Sequence, residues 1–121
     1  MHHIGIDIVE IARIQRAIDH WGEGFLHRVY TDLELRLCDK KPSSLAARFA
    51  GKEAVMKALG TGTKGISWRE IEILAEPSGK PTVHLHGKAQ NQADGLGLAR
   101  LVISLSHSKE HAIAFVVGET R

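Results

Sequence analysis

The chain has 121 residues, of which 43% are hydrophobic and 25% charged, and its 16 basic and 14 acidic side chains give a formal net charge of +2. A chain of this length can bury one real core but not two, so we expect a single domain over residues 1–121. The charge is too small and too evenly spread to indicate a nucleic-acid partner, and no apolar stretch is long enough to span a membrane.

Cysteine usage gives no reason to expect an oxidising compartment. Cys38 is the single cysteine of the sequence and cannot form an internal disulfide. No basic-then-apolar leader opens the chain, so we expect a cytoplasmic location. Because Cys38 lies in a leucine-rich segment, we interpret it as a packing residue and not as a nucleophile.

The first predicted elements are a strand over residues 3–9 and an amphipathic helix over residues 10–21. The strand is expected to be buried on both faces, with Asp7 interrupting its apolar run. Apolar positions of the helix recur at spacings of three and four on one side: Ile11, Ile14, Ile18 and Trp21. A second side collects basic positions: Arg13, Arg16 and His20. This basic stripe is either an ordinary solvated face or a docking patch for an acidic protein.

Two further helices are predicted before the middle of the chain. Thr31 and Glu34 have the spacing of a capping box, which would open a short helix toward Cys38. After a break at Pro42, a serine is expected to cap a long helix over residues 44–59. That helix has almost no polar face, so we expect it to be the centre of the fold and to be covered on most sides.

The remaining chain is rich in predicted hairpins. The elements follow in this order: strands over residues 70–76 and 82–85, a short helix over residues 87–95, and a closing hairpin over residues 101–105 and 112–117. Hairpins combined with one long helix predict an α+β fold. In this fold a mainly antiparallel sheet packs on one long central helix, with shorter helices beside it.

Two carboxylates lie in apolar surroundings, Asp7 in the first strand and Glu53 in the long helix. Such groups are costly to desolvate unless they are paired, hydrogen-bonded or bound to a cation. Asp7 by itself could equally be satisfied by backbone amides. As a pair, with a substrate phosphate and waters, the two carboxylates match the usual way in which a protein holds Mg²⁺.

Lys57 follows Glu53 by four residues and shares its helix face. The pair could be a weak surface ion pair, but the flanking residues are too apolar for an open face. In the functional interpretation Lys57 meets a phosphate oxygen or a leaving group, for which a compact ammonium is suited. His107 lies at a predicted strand end, where a corner residue is a better interpretation than a general base or a phosphate contact.

Together these elements resemble the holo-acyl-carrier-protein synthases, the small bacterial 4′-phosphopantetheinyl transferases. The segments that carry the resemblance keep the family's order and spacing over nearly the whole chain: Ile4–Ile8, Arg28–Leu35, Arg48–Gly62, Gly79–Pro81 and Leu105–Ala112. The Lys-Glu-Ala segment that begins at Lys52 is the specific one, and the others would be weak alone. Gly51 stands where the family usually has alanine, a small change that should leave the site intact.

The resemblance implies the 4′-phosphopantetheinyl transferase fold and a transferase activity. Such enzymes move the phosphopantetheine arm of coenzyme A to a serine of apo acyl carrier protein in fatty acid biosynthesis, and release adenosine 3′,5′-bisphosphate. By position, Asp7 and Glu53 would hold Mg²⁺ against the coenzyme A diphosphate, and Lys57 would contact that diphosphate and help the leaving group. The base that takes the serine proton stays open among a metal-bound water, a ligand carboxylate and His107.

The resemblance also implies contacts with the nucleotide and with the carrier. The residues implied near the nucleotide and its phosphates are Gly60, Thr61, Arg48 and Lys52. Pro81 and His107 would line the pocket from a neighbouring subunit, because the family forms homotrimers with sites between subunits. The residues that would meet the acidic carrier are Arg13, Arg16 and Arg28.

Other classes of function stay open from the residues alone. A metal-dependent pyrophosphohydrolase would use the same two carboxylates, and it would cleave coenzyme A without a carrier. A trimeric, non-enzymatic module would bind an acidic partner through its arginines. A nucleic-acid binder is the least expected, because the charge is even and few aromatic side chains look exposed.

Overall fold

Residues 2–61 and 65–121 are described by this computed structural model, and they form five strands, five α-helices and a short 3₁₀ turn. The elements in chain order are β1 (His2–Glu10), α1 (Ile11–Trp21), α2 (Glu23–Val29), α3 (Asp32–Cys38), α4 (Pro42–Leu59), the 3₁₀ turn (Trp68–Glu70), β2 (Ile71–Ala75), β3 (Pro81–Leu85), α5 (Gly87–Gly95), β4 (Leu98–His107) and β5 (His111–Thr120). The expected α+β class is confirmed. In the described residues, no helix is long and apolar enough to cross a membrane.

Both sheets are antiparallel and pack against α4. In the larger sheet β5 lies between β1 and β4, and in the smaller sheet β2 pairs with β3. Asp7 on β1 is paired with Ala114, and His107 on β4 is paired with Ala112. The two polar candidates of this sheet therefore lie on the strands that flank β5.

The larger sheet buries one face against α4 and exposes the other. On the inner face Gly5, Val9 and Ala114 are buried. Large apolar side chains are exposed on the outer face: Ile4, Ile6, Ile8, Val102, Ile113 and Phe115. The expectation that β1 is buried on both faces is therefore wrong for the single chain, because no other described element covers this outer face.

Helix α4 is the centre of the fold, as expected. Of its 18 residues, 12 are buried, and it packs against β1, β5, β4, β2 and α1. Gly60 ends it in the left-handed conformation with φ 75°. The expected serine cap is wrong, because Lys41 is the N-cap residue and Pro42 occupies the first turn. Proline fits there because its fixed φ suits a helix and its missing N–H has no intrahelical partner to lose.

Strand β1 crosses α4 at Gly5. A Cβ atom on Gly5 would collide with the backbone carbonyl of Ala54 and would lie 3.0 Å from the Ala58 nitrogen. Since the obstacle is backbone, no side-chain rotation would relieve it. Successive side chains of a strand alternate between faces, so Asp7 points to the same side as Gly5 and is held against the helix.

Candidate functional site

Asp7 and Lys57 are in direct contact at the junction of β1 and α4. The Lys57 ammonium donates hydrogen bonds to Asp7 Oδ1, at 3.0 Å, and to the Ile6 carbonyl oxygen, at 2.9 Å. The Asp7 side chain is 10% exposed and the Lys57 side chain 54% exposed. As expected, Glu53 and Lys57 share a helix face, and this face is turned toward β1. Lys57 pairs with Asp7, however, and not with Glu53.

Glu53 is half-buried beside the same aspartate. Burial raises the pKa of the Glu53 carboxyl, and the neighbouring Asp7 raises it further, while Arg13 and Lys57 act in the opposite direction. The two carboxyl groups lie within hydrogen-bonding reach of each other, and the charged form of Glu53 is disfavoured beside Asp7. The structure therefore brings together the two acidic residues that the sequence singled out, although they are far apart in the chain.

One oxygen of this cluster lacks a hydrogen-bond partner. Asp7 Oδ2 is buried, and no described residue donates a hydrogen bond to it. A buried carboxylate oxygen without a partner is costly, and a cation would satisfy it. In residues 2–61 and 65–121, no third histidine, cysteine or acidic side chain joins the pair to make a protein-only metal site. The donor set therefore fits a Mg²⁺ ion that takes its other oxygen ligands from a phosphate and water.

A second group of candidates lines a separate cavity of about 310 Å³. The lining residues come from α4, from the β2–β3 turn with the start of β3, and from the end of β4: Ser43, Ser44, Ala47, Arg48, Gly79, Pro81, Leu105, Ser106 and His107. Arg48, Pro81 and His107 therefore line the same cavity within one chain, whereas the resemblance implied that Pro81 and His107 reach the pocket from a neighbouring subunit. His107 is exposed, and Arg48 Nε donates to the Ile73 carbonyl at 3.4 Å. The serine hydroxyls in this cavity were not singled out from the sequence.

The two groups lie on different sides of α4. Arg48 and Lys57 are nine positions apart in this helix, which at about 100° per residue places them on roughly opposite sides and about 13 Å apart along the axis. Lys57 bonds to β1, whereas Arg48 lines the cavity with the end of β4. In one chain the predicted residues thus form two half-sites: the carboxylate half-site (Asp7, Glu53, Lys57) and the cavity half-site (Arg48, Pro81, His107).

Lys52 is not placed where a phosphate could reach it. Its side chain is completely buried, and its ammonium donates to Glu34 Oε1 at 2.8 Å and to the carbonyls of Trp68 and Ile71. Burial lowers the pKa of Lys52, and Glu34 opposes that shift. The implied contact between Lys52 and a phosphate is therefore wrong, because the Lys52 ammonium forms an ion pair with Glu34 in the interior. Glu34 comes from the capping box of α3, which is confirmed.

The segment after α4 is described in part. Gly60 is exposed, and Thr61 is partly buried. The glycine run continues to Gly62, which lies outside the described residues, as does Lys64. The contacts implied for Gly60 and Thr61 with the nucleotide stay predictions.

The three arginines implied as carrier contacts are solvent-exposed, and an unexpected aromatic residue lies beside Arg28. Arg13, Arg16 and Arg28 are all exposed. Trp21 is 66% exposed instead of packing with the apolar side of α1, because it is the last residue of that helix and the chain turns away at Gly22, where φ is 58°. With Gly24, Phe25 and Arg28 it lines a groove of about 350 Å³. A tryptophan next to a helix-ending glycine was the signal that could have revealed this groove.

Comparisons with known proteins agree on one family. The sequence model of the 4′-phosphopantetheinyl transferase superfamily matches residues 3–116. The chain is 50% identical to a holo-[acyl-carrier-protein] synthase of Herpetosiphon aurantiacus, over 94% of this chain and 95% of that protein. It is 51% identical to a holo-[acyl-carrier-protein] synthase of Dehalococcoides mccartyi, over 98% of this chain and 99% of that protein.

Solved structures give the same result. The fold is similar to the Helicobacter pylori holo-[acyl-carrier-protein] synthase in complex with coenzyme A, with a TM-score of 0.88, 39% identity and coverage of 96% of this chain and 99% of that chain. It is also similar to the holo-[acyl-carrier-protein] synthase of Neisseria meningitidis, with a TM-score of 0.89, 38% identity and 98% coverage of both chains.

Proposed function

This chain belongs to the 4′-phosphopantetheinyl transferase superfamily, and we propose that it transfers the phosphopantetheine arm of coenzyme A to a serine of apo acyl carrier protein, with Mg²⁺ bound, in fatty acid biosynthesis. The enzyme class, a holo-[acyl-carrier-protein] synthase, follows from relatives that match nearly the whole chain at about half identity. The observation that carries the metal-dependent form of the proposal is the orphaned, buried Asp7 Oδ2 beside Glu53 and Lys57.

Asp7 and Glu53 would hold the Mg²⁺ ion. Both are carboxylates, which are the oxygen ligands that Mg²⁺ prefers, and a shared cation would relieve the repulsion between them. When bound, the ion would neutralise negative charge on the diphosphate of coenzyme A. Lys57 brings a further positive charge to the same place and is exposed enough to reach a ligand.

The reaction needs little covalent chemistry from the protein. The serine oxygen of the carrier forms a bond to the phosphorus that bears the pantetheine arm, and the bond from that phosphorus to the bridging oxygen breaks. The electron pair leaves with adenosine 3′,5′-bisphosphate, and the serine proton passes to a base. Positioning and electrostatic stabilisation therefore carry most of the rate enhancement, and Lys57 is placed to stabilise the charge on the leaving oxygen.

The cavity half-site would receive the nucleotide end of coenzyme A. Arg48 and His107 offer hydrogen-bond donors for phosphate oxygens, and Pro81 offers an apolar wall. Ser43 and Ser44 add hydroxyl groups at the same cavity. The proposed contacts of Gly60 and Thr61 belong to the end of α4 near Lys57, on the side of the carboxylate half-site.

We further propose that the active unit is a homotrimer in which each site lies between two subunits. Two observations support this assembly. The half-sites face different directions in one chain, and a neighbouring subunit would supply the missing half. The outer face of the larger sheet exposes apolar side chains across the β1–β5 pair, such as Ile6 beside Phe115 and Ile8 beside Ile113, and monomeric proteins seldom leave such a patch uncovered.

The carrier would dock on three exposed arginines of α1 and α2. Arg13, Arg16 and Arg28 would attract an acidic partner, and the groove of Trp21 and Phe25 offers an apolar contact beside them. Arg13 also acts on the pKa of Glu53, so it adjoins the carboxylate half-site. A cytoplasmic location completes the proposal, and the free, buried thiol of Cys38 fits a reducing compartment.

Mass spectrometry tests the proposed activity directly. Apo acyl carrier protein is incubated with coenzyme A, Mg²⁺ and this protein, and the carrier should gain the mass of one phosphopantetheine arm. A parallel sample without carrier should leave coenzyme A intact, because release of adenosine 3′,5′-bisphosphate there would indicate a hydrolase. Removal of Mg²⁺ with a chelator should stop labelling, and restoring the ion should recover it.

A further inference from the structure

Lys57 is bound to one of the proposed metal ligands before any ligand arrives. Its ammonium lies 3.0 Å from Asp7 Oδ1 and 2.9 Å from the Ile6 carbonyl oxygen. The other carboxylate oxygen, Asp7 Oδ2, is the buried atom that has no partner among the described residues. One oxygen of the Asp7 carboxylate therefore accepts a hydrogen bond from Lys57, while the other oxygen is left to bind a cation.

Two cations on one carboxylate repel each other. A divalent ion at Asp7 Oδ2 would lie within a few ångströms of the Lys57 ammonium, where Coulomb repulsion is strong unless an anion lies between them. The diphosphate of coenzyme A is such an anion, because it can accept hydrogen bonds from Lys57 and coordinate the metal at the same time. The repulsion opposes binding of the ion alone, and it is offset when ion and diphosphate bind together, because both cations are attracted to the anion between them.

The lysine is free to make this exchange. The Lys57 side chain is about half exposed and extends from the last turn of α4, and a partly exposed ion pair of this kind is weakly held. Lys52 provides the contrast in the same helix, because its ammonium is completely buried and bonded to three acceptors. One lysine of α4 is fixed in the interior, and the other can move to a ligand.

We propose that Lys57 is a resting counter-ion of Asp7 which the diphosphate of coenzyme A draws away, so that the divalent cation binds tightly only together with coenzyme A. The inference rests on the proposed Mg²⁺ site and adds an order of events to it. Coupling of this kind is reciprocal, so the cation strengthens coenzyme A binding by the same factor. A site that holds the cation alone only weakly would avoid being occupied by an unproductive ion.

Binding of Mn²⁺ in the absence of any nucleotide tests the proposal without relying on activity. Affinities are measured by calorimetry or by the electron paramagnetic resonance of free Mn²⁺, for the parent protein and three variants. Lys57→Met removes the charge with little change of shape, and we expect it to bind Mn²⁺ about tenfold more tightly than the parent. Lys57→Arg keeps the charge, and Lys88→Met removes an exposed lysine from α5, so both should stay within about twofold of the parent.

The same titrations with coenzyme A present complete the test. Coenzyme A should tighten Mn²⁺ binding strongly in the parent and less in Lys57→Met, and thermal unfolding checks that each variant is folded. Equal Mn²⁺ affinity of parent and Lys57→Met without nucleotide overturns the role of Lys57 but leaves the proposed metal site standing. Failure of the parent to bind Mn²⁺ even with coenzyme A overturns the metal site and this proposal together.

Discussion

Lys52 and Glu34 form a completely buried ion pair, with 2.8 Å between Nζ and Oε1. The same carboxylate accepts the backbone N–H of Ile73 at 2.8 Å and that of Thr31 at 2.9 Å. One glutamate thus connects α3, α4 and β2. The pair holds in place the helix that carries Glu53 and Lys57, although it contributes no group to either half-site.

Replacing Lys52 by methionine should therefore reduce stability. Glu34 would be left as a buried charge without its counter-ion, so we expect a loss of about 3 kcal/mol in the free energy of unfolding. Urea denaturation followed by circular dichroism measures it, with Lys88→Met as the surface control. The double variant Lys52→Met with Glu34→Gln should recover part of the loss. A single variant as stable as the parent would contradict the structural role given to Lys52.

Glu53→Gln should separate activity from folding. We expect labelling of apo carrier protein to fall by at least about a hundredfold, because the variant loses a proposed Mg²⁺ ligand. Stability should not fall: the pKa of Glu53 is raised by burial and by Asp7, so the ionised form is disfavoured in the folded state. A carboxyl group whose pKa is higher in the folded state than in the unfolded state destabilises the fold once the pH rises above the unfolded-state pKa. Glutamine cannot ionise, so it removes this penalty.

Thermal unfolding at about pH 5 and pH 8 checks the sign of this effect on stability. The difference between Glu53→Gln and the parent should favour the variant more at the higher pH. Glu76→Gln makes the same change at an exposed carboxylate in the β2–β3 turn and serves as the matched control. Full Mg²⁺-dependent labelling by folded Glu53→Gln would remove Glu53 from the proposed metal site.

Mixing two inactive variants should restore activity if each site lies between subunits. Glu53→Gln disables the carboxylate half-site and His107→Ala disables the cavity half-site, so co-refolded mixtures contain some sites with both halves intact. Random assembly from equal amounts predicts about a quarter of the parent activity. Each variant alone, refolded in the same way, is the control. Mixtures no more active than their components would place both halves of a working site in one chain.

Arg13→Glu should weaken the use of the carrier more than that of coenzyme A. The charge reversal acts on an exposed residue of α1, so it should lower kcat/KM for the carrier by about tenfold at low salt, and leave KM for coenzyme A within about twofold. The deficit should shrink as ionic strength rises. Lys88→Glu makes the same charge change on α5 and serves as the matched control. An equal effect of both reversals would argue for net charge instead of a docking patch.

Gly51→Ala tests whether the packing around α4 requires a glycine at this position. A Cβ at position 51 would collide with the Ile73 Cδ1 atom and lie 3.2 Å from Ile103 Cδ1. We expect a loss of about 1 kcal/mol or more from overpacking, reduced by the better helix propensity of alanine. Adding Ile73→Val should make room and turn the loss into a gain. Urea denaturation of both variants measures this, and a stable single variant would show that Ile73 simply rotates away.

Local patterns were enough to predict several elements closely. Helix α5 spans residues 87–95 as expected, and the Thr31–Glu34 capping box is confirmed. The apolar run of α4 correctly identified the buried centre of the fold. These features depend on neighbouring residues or on periodicity, which a sequence contains by itself. The two candidate carboxylates were also recognisable, because a charge in an apolar segment needs a reason wherever the segment lies.

Tertiary structure decided which of the charged residues are buried in the interior and which reach the surface. Lys52 and Lys57 belong to the same helix and look alike in sequence, yet one is paired with Glu34 in the interior and the other reaches Asp7 near the surface. Likewise, the lack of a side chain on Gly5 permits β1 to lie on α4, and only that crossing brings Asp7 beside Glu53. Such contacts join segments far apart in the chain, so their distances and burial follow from packing and from no local pattern.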